Sequence, residues 1–261
     1  MLEFFIKHQL DLMLALSSIC GTIAIFVVVA RALPLSRRIV LLFLELSAMT
    51  LLYFDRLSYF FNGDISKYGI IMHRFSIFMD YLFTDVIVLA FNLYLIDLYK
   101  NDGKMKKTPL RLDFCTIFMI IGIILCIICG LSGIYYTFDS NNIYSRGPGY
   151  IISYIFPFFV PLIQLTAIIK YKRYLDWIIN LSNTLFIVVP LICSIAQLFI
   201  VGTSMTNIGI IITCIFIYVV ALFNLNREME ESKRSEIDFL KKSRRVCNVF
   251  LNKHLLHSWG L

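Results

Sequence analysis

Residues 12–30 pass without a single charged side chain, and uncharged or nearly uncharged runs of similar length recur along most of the 261-residue chain. No other feature constrains the fold as much. About 20 apolar residues in a helix cross a bilayer. A backbone in hydrocarbon must pair its own N–H and C=O groups, and a helix does so within one segment. The composition agrees: 59% of residues are hydrophobic and 16% charged, against about 45–50% and about 25% in soluble domains. The chain is therefore expected to be all-α, a polytopic membrane protein. Seven transmembrane helices are read at roughly 10–30, 39–60, 74–98, 113–136, 150–169, 178–200 and 206–225. The opening MLEFFIKHQLD holds Glu3 and Asp11 and has no basic n-region, so residues 12–30 read as the first span and not as a cleaved signal.

Lys and Arg set the direction of insertion. Nineteen of the 24 lie in the connections after the first, third and fifth spans and in the segment beyond the seventh. The other side holds Lys7, Arg56, Lys67, Arg74 and Arg146. This bias places the N-terminus outside and the C-terminus in the cytoplasm. It also accounts for the net charge of +7 without a nucleic-acid partner. The outer segments, 62–69, 137–149 and 202–206, are too short for a separate sensor domain. A ligand is expected within the bundle or at its outer mouth. Gly147-Pro148-Gly149 reads as a turn.

Ionisable side chains inside a span are costly, and they mark either function or hydrogen bonding between helices. The third span carries the most. His73 and Asp80 lie seven residues apart and share one face; Asp85 and Asn92 share another. His73, Asp80, Tyr81 and Asp85 read as an outer pocket for a small cationic or polar ligand, with interhelical packing as the competing reading. Glu45 and Asn92, each about 9 Å in from the cytoplasmic ends of their helices, read as a hydrogen-bonded pair. Gln164, Gln197 and Asn207 read as packing groups. Arg56 beside Asp55, and Arg74 beside Asp80, read as ion pairs at the membrane edge. Pro157 and Pro161 in the fifth span and Pro190 in the sixth each remove a backbone hydrogen bond and are hinge candidates.

All cysteines except Cys247 fall in apolar runs or at their ends, so no disulfide framework is expected. Cys126 and Cys129 form a C-x-x-C inside such a run and read as packing residues. Cys247, His254 and His257 lack a fourth ligand, so no metal site is expected, and no cofactor.

No Pro or Gly interrupts the chain from Ile210 to Arg245, so the last span is expected to leave the bilayer as a charged helix. Three parts follow: residues 1–225 as an input domain, 226–245 as a cytoplasmic signalling helix, and 246–261 as a short docking tail or the scar of a severed reading frame. The seam Leu225, Met229, Ser232, Glu236, Phe239 is thinner in apolar residues than a coiled coil wants. A homodimer through this helix and an amphipathic helix on anionic lipid heads stand as equal readings.

Two late segments, PFFVPLIQLTAIIKYKRYLDW and VVPLICSIAQLFIVGTSMTNIGIIITCIFIYVVALFNLNREMEES, carry a resemblance. Through Pro190, the Gln197-Leu198 pair, Gly202 and the helical exit around 224–232, the chain resembles the seven-helix N-terminal input region of histidine kinases and GGDEF diguanylate cyclases of Firmicutes. The pattern covers residues 150–240, and helix count and orientation cover the remainder. The resemblance implies a protein of the bacterial plasma membrane that detects a ligand or a membrane state. It implies relay through the last helix, with Asn224, Arg227, Met229 and Ser232 on the output side, to a cytoplasmic kinase or cyclase. The sequence holds no phospho-acceptor region, nucleotide-binding glycine motif or GGDEF string. The chain itself is thus expected to be non-catalytic, its output domain lost or supplied by a partner. A small seven-helix transporter is the alternative. Its mark would be matching halves, and Pro157, Pro161 and Pro190 have no counterparts in the first three spans.

Overall fold

Each uncharged run folds as a helix in a computed structural model, which describes residues 2–199 and 203–258. Gly202 and the side chains of Cys247, His254 and His257 lie outside what is described. The elements are α1 (Leu2–Val29), α2 (Leu35–Phe60), α3 (Lys67–Asn101), α4 (Leu110–Leu131), β1 (Tyr136–Phe138), β2 (Tyr144–Arg146), α5 (Tyr150–Ser153), α6 (Ile155–Tyr171), α7 (Trp177–Phe199) and α8 (Met205–Ser258). A single 3-10 turn, Lys172–Tyr174, follows α6. Among the described residues six helical stretches are long and apolar enough to cross a membrane, α5, α6 and the turn after them counting as one, Tyr150–Tyr174, which marks a multi-pass membrane protein. Their outer faces agree: Ile25, Leu110 and Ile151 are 66%, 84% and 79% exposed, as apolar side chains facing lipid would be.

The exception is α2. It is 26 residues long, but Glu45 and Asp55 lower its hydropathy. Neither faces outward: they are 0% and 5% exposed, and they continue the buried stripe Leu41, Leu44, Ala48, Leu51, Leu52, Ser58. That stripe packs against α1 on one side and α3 on the other. α3 also touches α4 and α6, and its Phe91 stacks on Phe186 of α7 at 3.9 Å.

The fold is all-helical as expected, with one local departure, a short hairpin between α4 and α5. The fourth span ends at Leu131 instead of running to 136, because Gly133 takes φ 75°, a left-handed conformation that costs glycine little. The N–H of Ile134 then donates back to the Cys129 carbonyl at 3.0 Å. The chain turns into an antiparallel hairpin with Tyr136 opposite Arg146. Asp139 builds its tip: Oδ1 accepts from the N–H groups of Asn141 (2.9 Å) and Ile143 (2.7 Å), the local bonding that favours Asp in turns. Asn142, at φ 58°, donates from Nδ2 to the Asp64 carbonyl at 2.8 Å. This lays the hairpin on the α2–α3 connection. In that connection the Ser66 N–H donates to Asp64 Oδ1 at 2.8 Å, which holds this exposed carboxyl below the usual carboxylate range. Ser66 Oγ in turn accepts from Gly69 N at 3.0 Å and caps α3.

The fifth span stands as one candidate crossing, Tyr150–Tyr174, with an interruption inside it. It breaks at Tyr154 into α5 and α6, and Pro157 falls in the first turn of α6. An N–H is dispensable there, so Pro157 is not a mid-helix kink. Pro161 and Pro190 do lie inside α6 and α7.

At the opposite end of the bundle Arg37 clamps α2 to the end of α3. Its Nε donates to Asp97 Oδ2 and its Nη2 to Asp102 Oδ1, the latter at 2.9 Å. Asn101 Nδ2 donates to Asp97 Oδ1 at 2.7 Å.

The chain divides into two units, Met1–Val220 and Ala221–Leu261, a few residues before the expected limit at 225. In the second unit, residues 226–241 are exposed, Met229 and Ser232 among them. Asn224 Nδ2 donates to Glu228 Oε1 at 3.0 Å, and Arg227 pairs with Glu231 at 3.8 Å. These are one-turn contacts that support a helix weakly. Residues 246–258 stay helical within α8.

Candidate functional site

Three helices bring polar groups together near the hairpin end. Asn207, in the first turn of α8, donates from the same Nδ2 to Asp55 Oδ2 of α2 at 2.7 Å and to Asp80 Oδ1 of α3 at 3.1 Å. Ser204 Oγ also donates to Asp55 Oδ2. Gln197 of α7 joins from the side, its Oε1 accepting from the N–H (3.2 Å) and Oγ1 (2.8 Å) of Thr206. Two carboxyl groups thus converge on one amide. Among the described residues no Lys or Arg pairs with either. The expected ion pairs are not made: Arg56 Nε donates to the Leu10 carbonyl at 3.0 Å, and the Arg74 guanidinium sits 5.3 Å over the Phe138 ring. Tyr59, Tyr144 and Tyr154 lie close enough to Asp80 to feel its charge.

The pocket read from His73, Asp80, Tyr81 and Asp85 divides. Consecutive helical residues point about 100° apart, so Asp80 turns to α2 and α8 while Tyr81 turns to α4 and the hairpin. Tyr81 stacks near Tyr135 and Tyr136, with centroids 6.2 and 5.3 Å away, and its hydroxyl meets that of Tyr144 at 2.7 Å. Asp85 is 5% exposed and faces Cys126 and Tyr135; its Oδ1 has no hydrogen-bond partner. His73 is 1% exposed, beside Asn142, with its ring 5.2 Å from that of Phe138. Tyr150 and Tyr154 close the aromatic wall, hydroxyl to hydroxyl at 2.6 Å.

Glu45 and Asn92 do not pair. Asn92 donates from Nδ2 to the Leu112 carbonyl and to Thr116 Oγ1, both at 2.8 Å, and its Oδ1 accepts from Gln164 Nε2 at 3.2 Å. Equal depth does not put two side chains on the same side of a bundle: Asn92 faces α4 and α6, and Glu45 faces α1 and α8. Around Glu45 stand Cys20, Cys214 and Tyr218. No group of His, Cys, Asp and Glu that could hold a metal ion occurs among the described residues.

Asp55, Ser204 and Asn207 were not legible as a unit from sequence, since 149 or more residues separate Asp55 from its partners. The available signal was the spacing of Asp55 on α2, four residues after Leu51 and seven after Ala48 on the buried stripe. Comparison with protein-family models, curated proteins and solved structures finds no match.

Proposed function

We propose that the chain is a membrane signal-input module that binds a small cation at Asp55, Asp80 and Asn207 and relays the change through α8 to a cytoplasmic kinase or cyclase. One observation carries this reading: the amide that joins the two carboxyl groups belongs to the first turn of α8, the helix that also supplies the charged stretch from Asn224 to Leu240. A cation seated between the carboxyl groups replaces the amide as their partner and frees the start of α8. A ligand shifts such an equilibrium only by binding one state better than the other, and competition for the same oxygens supplies that difference. Two carboxylates that share one hydrogen-bond donor suit an organic ammonium, which both can hold by charge. The resemblance of residues 150–240 to kinase and cyclase input regions supports the same reading. In it all seven long helices cross a bacterial plasma membrane, with the N-terminus outside and the C-terminus in the cytoplasm.

The test is hydrogen exchange of the protein in lipid nanodiscs, with and without a panel of primary and quaternary amines such as ethanolamine and choline. An amine of the panel should change exchange across residues 222–240 in the wild type and leave Asp80→Asn and Asn207→Ala unmoved. If Asp80→Asn responds like the wild type, the site is wrong. If vesicles carrying the protein take up the amine while α8 stays unchanged, the chain is a transporter.

A further inference from the structure

At the end of the bundle away from the hairpin, a cavity of about 920 Å³ opens where α3 ends and α4 and α6 meet the surface. Lys100, Lys106, Lys107, Arg111 and Lys170 line it, with Asp113 as its one acidic residue. Asp113 is already engaged, its Oδ2 accepting from Thr108 Oγ1 at 2.7 Å. Arg111 is held in place but not neutralised, its Nη1 donating to Thr166 Oγ1 at 2.8 Å. Among the described residues none of the four lysines forms an ion pair. Arg37, at the same end, is by contrast fully matched by Asp97 and Asp102. Arg38, Lys104, Lys172 and Arg173 add positive charge at this end, but the cavity is where five cations surround one hollow. α4 begins here behind Pro109 with no side-chain cap, so the positive pole of its dipole adds to the field. Gathering cations round one hollow is unfavourable unless an anion fills it.

The surface above the cavity says what kind of anion. Leu110, Phe114, Ile117 and Ile121, at one-turn spacing on α4, are 84%, 54%, 61% and 44% exposed. A free phosphate would use the cavity and leave this stripe alone, whereas an amphiphile uses both. We infer that the cavity is a binding site for the phosphate headgroup of an anionic phospholipid whose acyl chains lie along the outer face of α4. Basic pockets between membrane helices take such headgroups by charge and by donor count.

The experiment uses the full chain in neutral detergent, with lipid retention counted by native mass spectrometry and the thermal midpoint read in parallel. The probes are phosphatidylglycerol, phosphatidylcholine and soluble glycerol phosphate. Phosphatidylglycerol is expected to stay bound and raise the midpoint, and phosphatidylcholine is not. The pair Lys106→Gln/Lys107→Gln should weaken retention about tenfold. The pair Lys172→Gln/Arg173→Gln, which removes equal charge outside the cavity, should leave it unchanged. Lys106 and Lys107 are exposed, so the lipid-free midpoint should hold; Lys100→Gln/Lys170→Gln repeats the test from the other wall. Equal loss in the inside and outside pairs would reduce the effect to diffuse attraction. Equal retention of the two lipids, or glycerol phosphate matching phosphatidylglycerol, would also overturn the inference.

Discussion

Arg37 and Arg38 are neighbours that do different work. Arg37 is 7% exposed and bridges Asp97 and Asp102, 60 and 65 residues along the chain. Arg38 is half-buried. Removing one partner of a buried ion pair strands the other charge, so Arg37→Ala should cost about 3–5 kcal/mol. Arg38→Ala should stay within about 0.5 kcal/mol. Thermal unfolding in detergent reads the difference, and equal midpoints would show that the clamp does not hold. The sequence counts both residues alike as orienting charges, because what separates them is a partner far away in the chain. The site follows the same logic. Asp80 was legible as an ionisable group at bilayer depth, but its union with Asp55 and Asn207 depends on how α2, α3 and α8 are packed. Tyr81 and Asp85 were legible as polar neighbours on α3, and helix geometry sends them to a different wall; His73 shares the face of Asp80 but lies two turns away, beside the hairpin.

The hairpin is the element that the periodicity concealed. Apolar residues continue from α4 through Ile134, Tyr135 and Tyr136, and a run of that kind does not announce where helix gives way to strand. Gly133 is the punctuation, and Gly147 is the lock. The Gly147 N–H donates to the Tyr135 carbonyl at 3.0 Å. A Cβ there would meet the Ile134 oxygen and come within 2.9 Å of the carbonyl carbons of Ile134 and Tyr135. That obstacle is backbone, which yields poorly. Gly147→Ala should therefore cost about 1–3 kcal/mol through overpacking and speed amide exchange across residues 134–146. Unchanged exchange there would mean that the close approach is relieved without loosening the strands. Since Tyr144 of β2 holds Tyr81 of α3, the same variant loosens the aromatic wall beside the candidate site. The prolines make a related point: three looked alike in sequence, and only position within α6 separates Pro157 in the first turn from Pro161 further in.

How many times the chain crosses the bilayer turns on α2. Its hydropathy counts Glu45 and Asp55 as if they met lipid, yet both are buried among α1, α3 and α8. The residues it does show to the outside are Ile39, Phe43, Leu46 and Tyr53, 37–57% exposed. With 26 residues at ~1.5 Å each it is ~39 Å long, longer than the ~30 Å hydrocarbon core. Length and outward face thus both suit a span, and what argues otherwise is charge: the inward acids Glu45 and Asp55 together with Arg37, Arg38 and Arg56 near its ends. If α2 crosses, residues 32 and 62 lie on opposite sides of the membrane, and the alternating Lys and Arg pattern puts 62 outside. Single cysteines at these exposed positions, Ala32→Cys and Asn62→Cys, decide it in intact cells with a membrane-impermeant thiol reagent. Asn62→Cys should label at once and Ala32→Cys only after permeabilisation. Labelling of both from outside would leave α2 on one side and the count at six. The opposite order would invert the molecule, turning the lysine-lined cavity to the exterior and the carboxyl cluster to the cytoplasm, where no extracellular amine could reach it.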